Sequence, residues 1–165
     1  MHIETERKFL VKDLGFKDLA VKAYEIKQGY IAHDGGNTVR VRIRDKQGFL
    51  TIKGPSVDGI SRHEWEREIS LEDAQELFLL CRGGSIEKTR YIVPEGIPPS
   101  GKFFEVDVFY GENEGLVMAE IELERPDEPF ERPAWLGREV TGDRRFYNSH
   151  LLRNPFKLWR ETLEK

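Results

Sequence analysis

Charged side chains recur at every second position in run after run of this sequence, and these runs hold the chemistry the chain could do. Glu4, Glu6 and Lys8 share one side, while Ile3, Phe9 and Val11 take the other. Arg40, Arg42 and Arg44 oppose Val39, Val41 and Ile43, and Thr51 with Lys53 opposes Leu50 with Ile52. Arg62, Glu64, Glu66 and Glu68 form a further charged side, as do Lys88 with Arg90, Glu105 with Asp107, and Glu120 with Glu122 and Glu124. A period of two is the strand period, in which successive side chains face opposite ways. The signs are sorted by strand: cations dominate 40–53 and 88–90, carboxylates 64–68, 105–107 and 120–124. Solvated surfaces usually intersperse the signs. Three arginines at alternate positions set like charges side by side, which costs stability and suits a grip on a polyanion.

The elements that must position these residues follow from the same pattern. Strands are expected over 3–11, 24–32, 38–44, 49–53, 62–69, 86–93, 103–110 and 117–125, with Gly54-Pro55 ending the fourth because proline cannot donate to a ladder. Leu14, Phe16 and Leu19 mark a short amphipathic helix over 13–20. Ser70, with Asp73 at the capping-box position, opens a second helix whose Leu71, Ala74, Leu77, Phe78 and Cys81 repeat at helical spacing until Gly83-Gly84 ends it. Cys81 reads there as a core thiol. The tail from 133 reads as helical, with Trp135-Leu136, Phe146-Tyr147 and Leu151-Leu152 as docking points. No histidine is expected on a charged strand face: His63 alternates with the glutamates, and His2, His33 and His150 lie at the periphery.

Composition narrows the class. Apolar residues are 38% and charged residues 34% of 165, with too many aromatic and β-branched side chains for disorder and a length suited to one domain over 1–165. A net charge of -4 argues against a general nucleic-acid binder, so no stable nucleic-acid partner is expected. The absence of a membrane-length apolar run and the charged N-terminal strand predict a cytoplasmic protein with no membrane partner.

Strands joined mostly by short connections suggest an antiparallel sheet that curls or closes. The charged faces then admit two readings. They face solvent around an apolar core, as in many antiparallel sheets. Alternatively, the helix after Ser70 and the C-terminal segment cover the apolar faces from outside, and the charged faces turn inward. Such an interior cannot be dry, because burying an unpaired ion costs several kcal/mol. It must hold water, metal or a highly charged ligand.

The ordered set Glu4-x-Glu6-x-Lys8, Arg40-x-Arg42, Thr51-x-Lys53, Glu64-x-Glu66, Glu87-Lys88-Thr89-Arg90-Tyr91, Phe104-Glu105-Val106-Asp107-Val108 and Glu120-Ile121-Glu122 resembles the CYTH superfamily, the triphosphate tunnel metalloenzymes. The resemblance implies an α+β fold: a closed eight-stranded antiparallel β-barrel, the triphosphate tunnel, with a charged interior and flanking helices. It also implies that Glu4, Glu6, Glu120 and Glu122 hold Mg²⁺ or Mn²⁺, hard cations suited to carboxylate oxygen. Lys8, Arg40, Arg42, Lys53, Lys88 and Arg90 would hold the triphosphate, with Glu64, Glu66, Glu105 and Asp107 orienting those cations or a second metal. Arg144 and Arg145 would reach one tunnel mouth, or are ordinary surface charges.

Lys88 is the expected general base, because neighbouring cations would lower its pKa, and Lys53 is the alternate. Gln28-Gly29-Tyr30-Ile31 and Arg144-Arg145-Phe146-Tyr147 look most similar to the small bacterial inorganic triphosphatases. The expected partner is therefore a small polyanion, triphosphate. The alternatives are a class IV adenylyl cyclase and a non-catalytic polyphosphate-binding module, the latter disfavoured by so many acids. Tyr30 is read either as a core aromatic, the default for a strand tyrosine, or as closing over the ligand, and Trp65, Trp135 and Trp159 as packing anchors. An exposed apolar barrel face would support a homodimer.

Overall fold

The protein was analysed as a computed structural model, which describes residues 2–56 and 58–163. The strands are β1 (His2–Val11), β2 (Lys22–Asp34), β3 (Asn37–Arg44), β4 (Gln47–Ser56), β5 (Ser61–Ile69), β6 (Ile86–Pro94), β7 (Phe103–Phe109), β8 (Val117–Leu123) and β9 (Leu136–Glu139). The helices are α1 (Phe16–Leu19), α2 (Leu71–Phe78) and α3 (Asn148–Leu151), with short 3-10 turns after β7 and through the C-terminal segment. The sheet runs β5-β4-β3-β2-β6-β7-β8-β1-β9, and β5 also pairs with β1. That last pairing closes the first eight strands into an antiparallel barrel. β1 is shared along its length: His2 to Thr5 pair with β5, and Phe9 and Val11 pair with β9. The short ninth strand therefore continues the edge that β5 leaves.

The inward parity of β1, β6, β7 and β8 is charged in the middle and apolar at one end. Lys8 is followed on its face by Leu10, Lys88 is preceded by Ile86, Asp107 is followed by Phe109, and Glu120 is preceded by Met118. Ile86, Phe109 and Met118 pack with Phe146, Leu151, Phe156 and Trp159 of the C-terminal segment, which seals this end. A second core lies outside the wall, where Phe9, Phe104, Val106, Ala119 and Ile121 meet Phe16 and Trp135. Edge-to-face contacts such as Phe104 with Trp135, centroids 5.2 Å apart, fix that layer.

Helix α2 lies against the outside of β2, β3 and β4. Ser70 Oγ caps it by accepting from the Asp73 N–H at 3.0 Å. The approach is close enough to require glycine: a Cβ on Gly48 would stand 2.8 Å from Ala74 Cβ, and one on Gly29 2.8 Å from Cys81 Sγ. Cys81 is thus a half-buried packing thiol.

Four sequence expectations are corrected. β4 runs through Gly54 and Pro55 to Ser56, because its pairing with β5 shifts register between Lys53 and Ser56 and so frees proline from a regular ladder position. α2 ends at Phe78, short of Cys81. The tail is not a helix: Leu136 begins β9, and α3 has four residues. Trp65 is no core anchor; its ring is partly exposed on the outside of β5 beneath Arg67. Among the described residues no helix is long and apolar enough to cross a membrane.

Candidate active site

The charged faces do point inward, around a cavity of about 100 Å³. Its wall includes Lys8, Arg40, Lys53, Arg62, Lys88 and Arg90 against Glu4, Glu6 and Glu120. The cavity is therefore cationic inside a chain of net charge -4.

Lys88 lies deepest among the cations, 2% exposed. Its Nζ is 2.8 Å from Asp107 Oδ2 and donates to Asn148 Oδ1 at 2.9 Å. Burial pushes the amine down to about 8; the Asp107 carboxylate opposes this and the Arg90 guanidinium adds to it. The expected direction is met, but desolvation outweighs the neighbouring cation as its cause. Lys53 is different. Burial would lower it too, yet the Glu4 and Glu6 carboxylates reverse the effect and hold it above its ordinary value. Its Nζ sits 2.7 Å from Glu4 Oε1 and 3.7 Å from Glu64 Oε2.

Arg40 and Arg42 share one carboxylate. Glu66 Oε2 accepts from Thr51 Oγ1 at 2.6 Å and lies 3.4 Å from Arg40 Nη2 and 3.6 Å from Arg42 Nη2. Burial, then Arg40 and Arg90, push Arg42 down to about 9. It remains charged at neutral pH but is short of counter-charge. Among the described residues the Nε atoms of Arg40 and Arg42 are buried without a protein partner. Donors left so are satisfied by something else, and an anion suits them. Arg90 is the satisfied contrast: it bonds Asp107 twice, at 2.8 and 2.9 Å, and Glu105 at 3.1 Å.

The carboxylates form a crowded group. Glu4, Glu6 and Glu120 line the cavity together, with Lys8 Nζ 3.7 Å from Glu120 Oε1. Burial, with Glu120 and Glu4 beside it, holds the Glu6 carboxyl well above its ordinary range. Glu120 shifts the other way despite burial, because Lys8 and a bond from Glu6 favour its charged form. Three carboxyls lining one cavity repel one another, a divalent cation relieves that repulsion, and all the donors are hard oxygens. Among the described residues no three such side chains already converge as a closed cage. That suits an ion bound by one or two carboxylates and completed by water and phosphate oxygens.

A CYTH domain model matches residues 2–147. The chain belongs to the CYTH family. Two inorganic triphosphatases are similar to it along nearly their whole length. The one from Acetivibrio thermocellus is 48% identical over 159 residues, spanning 96% of this chain and 98% of that protein. The one from Nitrosomonas europaea is 37% identical over 151 residues, spanning 90% and 95%. A crystal structure of an inorganic triphosphatase superposes with a TM-score of 0.64 at 33% identity, covering 90% of this chain and 97% of that one. A putative adenylyl cyclase from Hippeastrum, whose structure was described as revealing a dominant triphosphatase activity, aligns at TM-score 0.58 and 15% identity over 77% of this chain and 81% of that one, a likeness of fold alone. Membership of the CYTH family implies a divalent metal.

In this CYTH chain the barrel gathers Glu4, Glu6, Lys8, Arg40, Lys53, Lys88, Arg90 and Glu120 around one cavity. Other expected residues fall elsewhere. Glu122 opposes Glu6 across the β1–β8 pair but lies at the far mouth, where its Oε1 is 3.2 Å from His2 Nε2 and Glu105 lines the same depression. Both Asp107 oxygens are engaged by Lys88 and Arg90, which suits a residue that orients cations. Glu64 sits beside Lys53, and burial with the adjacent Glu4 raises it to about 7. Arg144 is exposed, and Arg145 bonds Asp143 at 2.7 Å. Neither lines the cavity; Tyr147, Asn148 and Ser149 of the same segment do.

Tyr30 faces the cavity and accepts from Gln28 Nε2 at 3.1 Å, which favours the ligand side of its two readings over the core default. Several site residues escaped the sequence reading. His2 shares the parity of Glu4 and Glu6 and meets Glu122, so a histidine does sit on a charged face. The alternation at residue 2 was the available signal. Thr38 and Arg62 also carried it, on β3 and β5. Asn148 carried none, because its place depends on how the tail docks.

Proposed function

We propose that this CYTH chain hydrolyses inorganic triphosphate to orthophosphate and pyrophosphate with Mg²⁺ or Mn²⁺. The observation that carries this reading is the cationic cavity, with Arg40 on its wall and the Nε atoms of Arg40 and of its neighbour Arg42 buried without a protein partner among the described residues. A chain of three phosphates supplies the missing charge and the acceptors. The relatives named inorganic triphosphatase support the substrate class.

Lys8, Arg40, Arg42, Lys53 and Arg90 hold the phosphate oxygens, the arginines through their planar forks. Glu66 and Asp107 fix the arginines: Glu66 beneath Arg40 and Arg42, Asp107 beneath Arg90. Glu4, Glu6 and Glu120 on the cavity wall are the carboxylates that would hold the metal, which when bound would neutralise charge on the phosphates.

Lys88 receives the proton. With the amine lowered to about 8, a neutral fraction exists near neutral pH to take a proton from water as its oxygen bonds the terminal phosphorus. The bond to the bridging oxygen breaks, and the electron pair leaves with pyrophosphate. Lys53, raised by its carboxylates, is the poorer base.

Product analysis tests the reading. Tripolyphosphate should yield orthophosphate and pyrophosphate in equal amounts, faster than ATP is consumed. Cyclic AMP with pyrophosphate from ATP would replace it with the cyclase, and binding without turnover would replace it with a polyphosphate-binding module.

A further inference from the structure

The Lys88 amine is met within the cavity by a residue of the C-terminal segment, which is no part of the strand wall. Its first partner, Asp107 Oδ2 at 2.8 Å, comes from the adjacent strand β7. Its second, Asn148 Oδ1 at 2.9 Å, opens α3 and is separated from it by 60 residues of sequence. Asn148 and Lys88 line the same cavity. The segment carrying Asn148 is held firmly on both sides, since Phe146 and Leu151 are fully buried. The Phe146 carbonyl also accepts from Lys8 Nζ at 3.1 Å, so one short stretch holds two lysines of the site.

A charged lysine amine has three N–H bonds; a neutral one has two and a lone pair. Asp107 and Asn148 are both acceptors and take two hydrogens. The third position is then fixed. With Asp107 alone, the amine could turn about its terminal bond and the lone pair would sweep a cone. We propose that Asn148 is a positioning residue for triphosphate hydrolysis, its side-chain oxygen acting with Asp107 to aim the third position of the Lys88 amine into the cavity. This rests on the reading of Lys88 as the base. The amide is suited to the task because it accepts without charge, whereas a second carboxylate would hold the third proton in place.

The test compares the wild type with Asn148→Ala, Asn148→Asp and Lys88→Met on tripolyphosphate, reading kcat, KM, the pH profile and Tm. Asn148→Ala is expected to lower kcat roughly 10- to 100-fold, part of what a positioned base contributes, with KM little changed. Asn148→Asp, nearly isosteric, should lower kcat and move the rising limb of kcat/KM to higher pH by about one unit. Wild-type kcat and pH limb in Asn148→Asp, or a raised KM with unchanged kcat in Asn148→Ala, overturn the proposal. If Asn148→Ala does not fold, Asn148→Asp alone decides. Loss of kcat in Lys88→Met beside fully active Asn148 variants removes the positioning role and leaves Lys88 as base. Retained kcat in Lys88→Met removes both.

Discussion

Replacing Asp107 by asparagine should destabilise the substrate-free protein by about 4 kcal/mol, the middle of the range for breaking a buried ion pair from one side. Asp107 is 1% exposed and is the carboxylate for two buried cations, Lys88 at 2.8 Å and Arg90 through two bonds. Asparagine keeps the shape but removes the charge, and its amide hydrogens meet groups that are themselves donors. Arg90 retains Glu105 at 3.1 Å, which limits the loss; Lys88 retains the neutral Asn148. For a chain of 165 residues the expected fall in Tm is roughly 10 °C. Thermal unfolding followed by circular dichroism measures it. Tripolyphosphate should recover part of the loss, because a ligand at about 100 times its Kd adds about 2.7 kcal/mol to the folded state. The pH dependence has a definite sign. Burial alone would raise the Asp107 carboxyl, but Arg90 and Lys88 hold it below its ordinary value. Its contribution is therefore complete above the ordinary carboxyl range and is lost as pH falls through the lowered value. Wild type and variant should converge in stability on acidification. A fall in Tm below about 2 °C at neutral pH would refute the assignment of Asp107 as the counter-charge of the site.

Three further outcomes are expected. The kcat/KM for tripolyphosphate should rise with pH until about 8, because Lys88 loses its proton in that range; a flat profile would remove Lys88 as base. Phe146→Ala should cost about 3–5 kcal/mol in denaturant unfolding, since the fully buried ring seals one end of the barrel against Trp159 at 5.3 Å, and should also weaken activity through Lys8. Arg144→Ala should leave KM for tripolyphosphate within about twofold, because an exposed charge off the cavity wall contributes little; a KM raised tenfold would return Arg144 to the site.

The barrel was legible because alternation is a local property. Arg40, Arg42 and Arg44 against Val39, Val41 and Ile43 reveal two faces whatever the rest of the chain does. Alternation alone did not say which face turned in, and the ordered motifs shared with the CYTH family supplied that. The C-terminal segment was the opposite case. Its four-residue β9 and its 3-10 turns are held by docking, Trp159 on Phe146 and Phe156 on Trp159, and carry no periodicity of their own. Asn148 was invisible for that reason and Tyr147 was read only as a docking point, while the conspicuous pair Arg144-Arg145 drew attention to charges that the fold keeps off the cavity wall. Pro55 misled in the same way: it breaks a regular ladder, and here the ladder is irregular at that point.

Phosphate release from tripolyphosphate and from ATP, with and without Mg²⁺, by the wild type and Glu4→Gln, tests the central claim most directly. The account predicts metal-dependent release that is faster from tripolyphosphate than from ATP and that collapses in the variant. Release that is indifferent to metal and to Glu4, or binding of tripolyphosphate without release, would contradict it and return Glu4 to a structural counter-charge for Lys53.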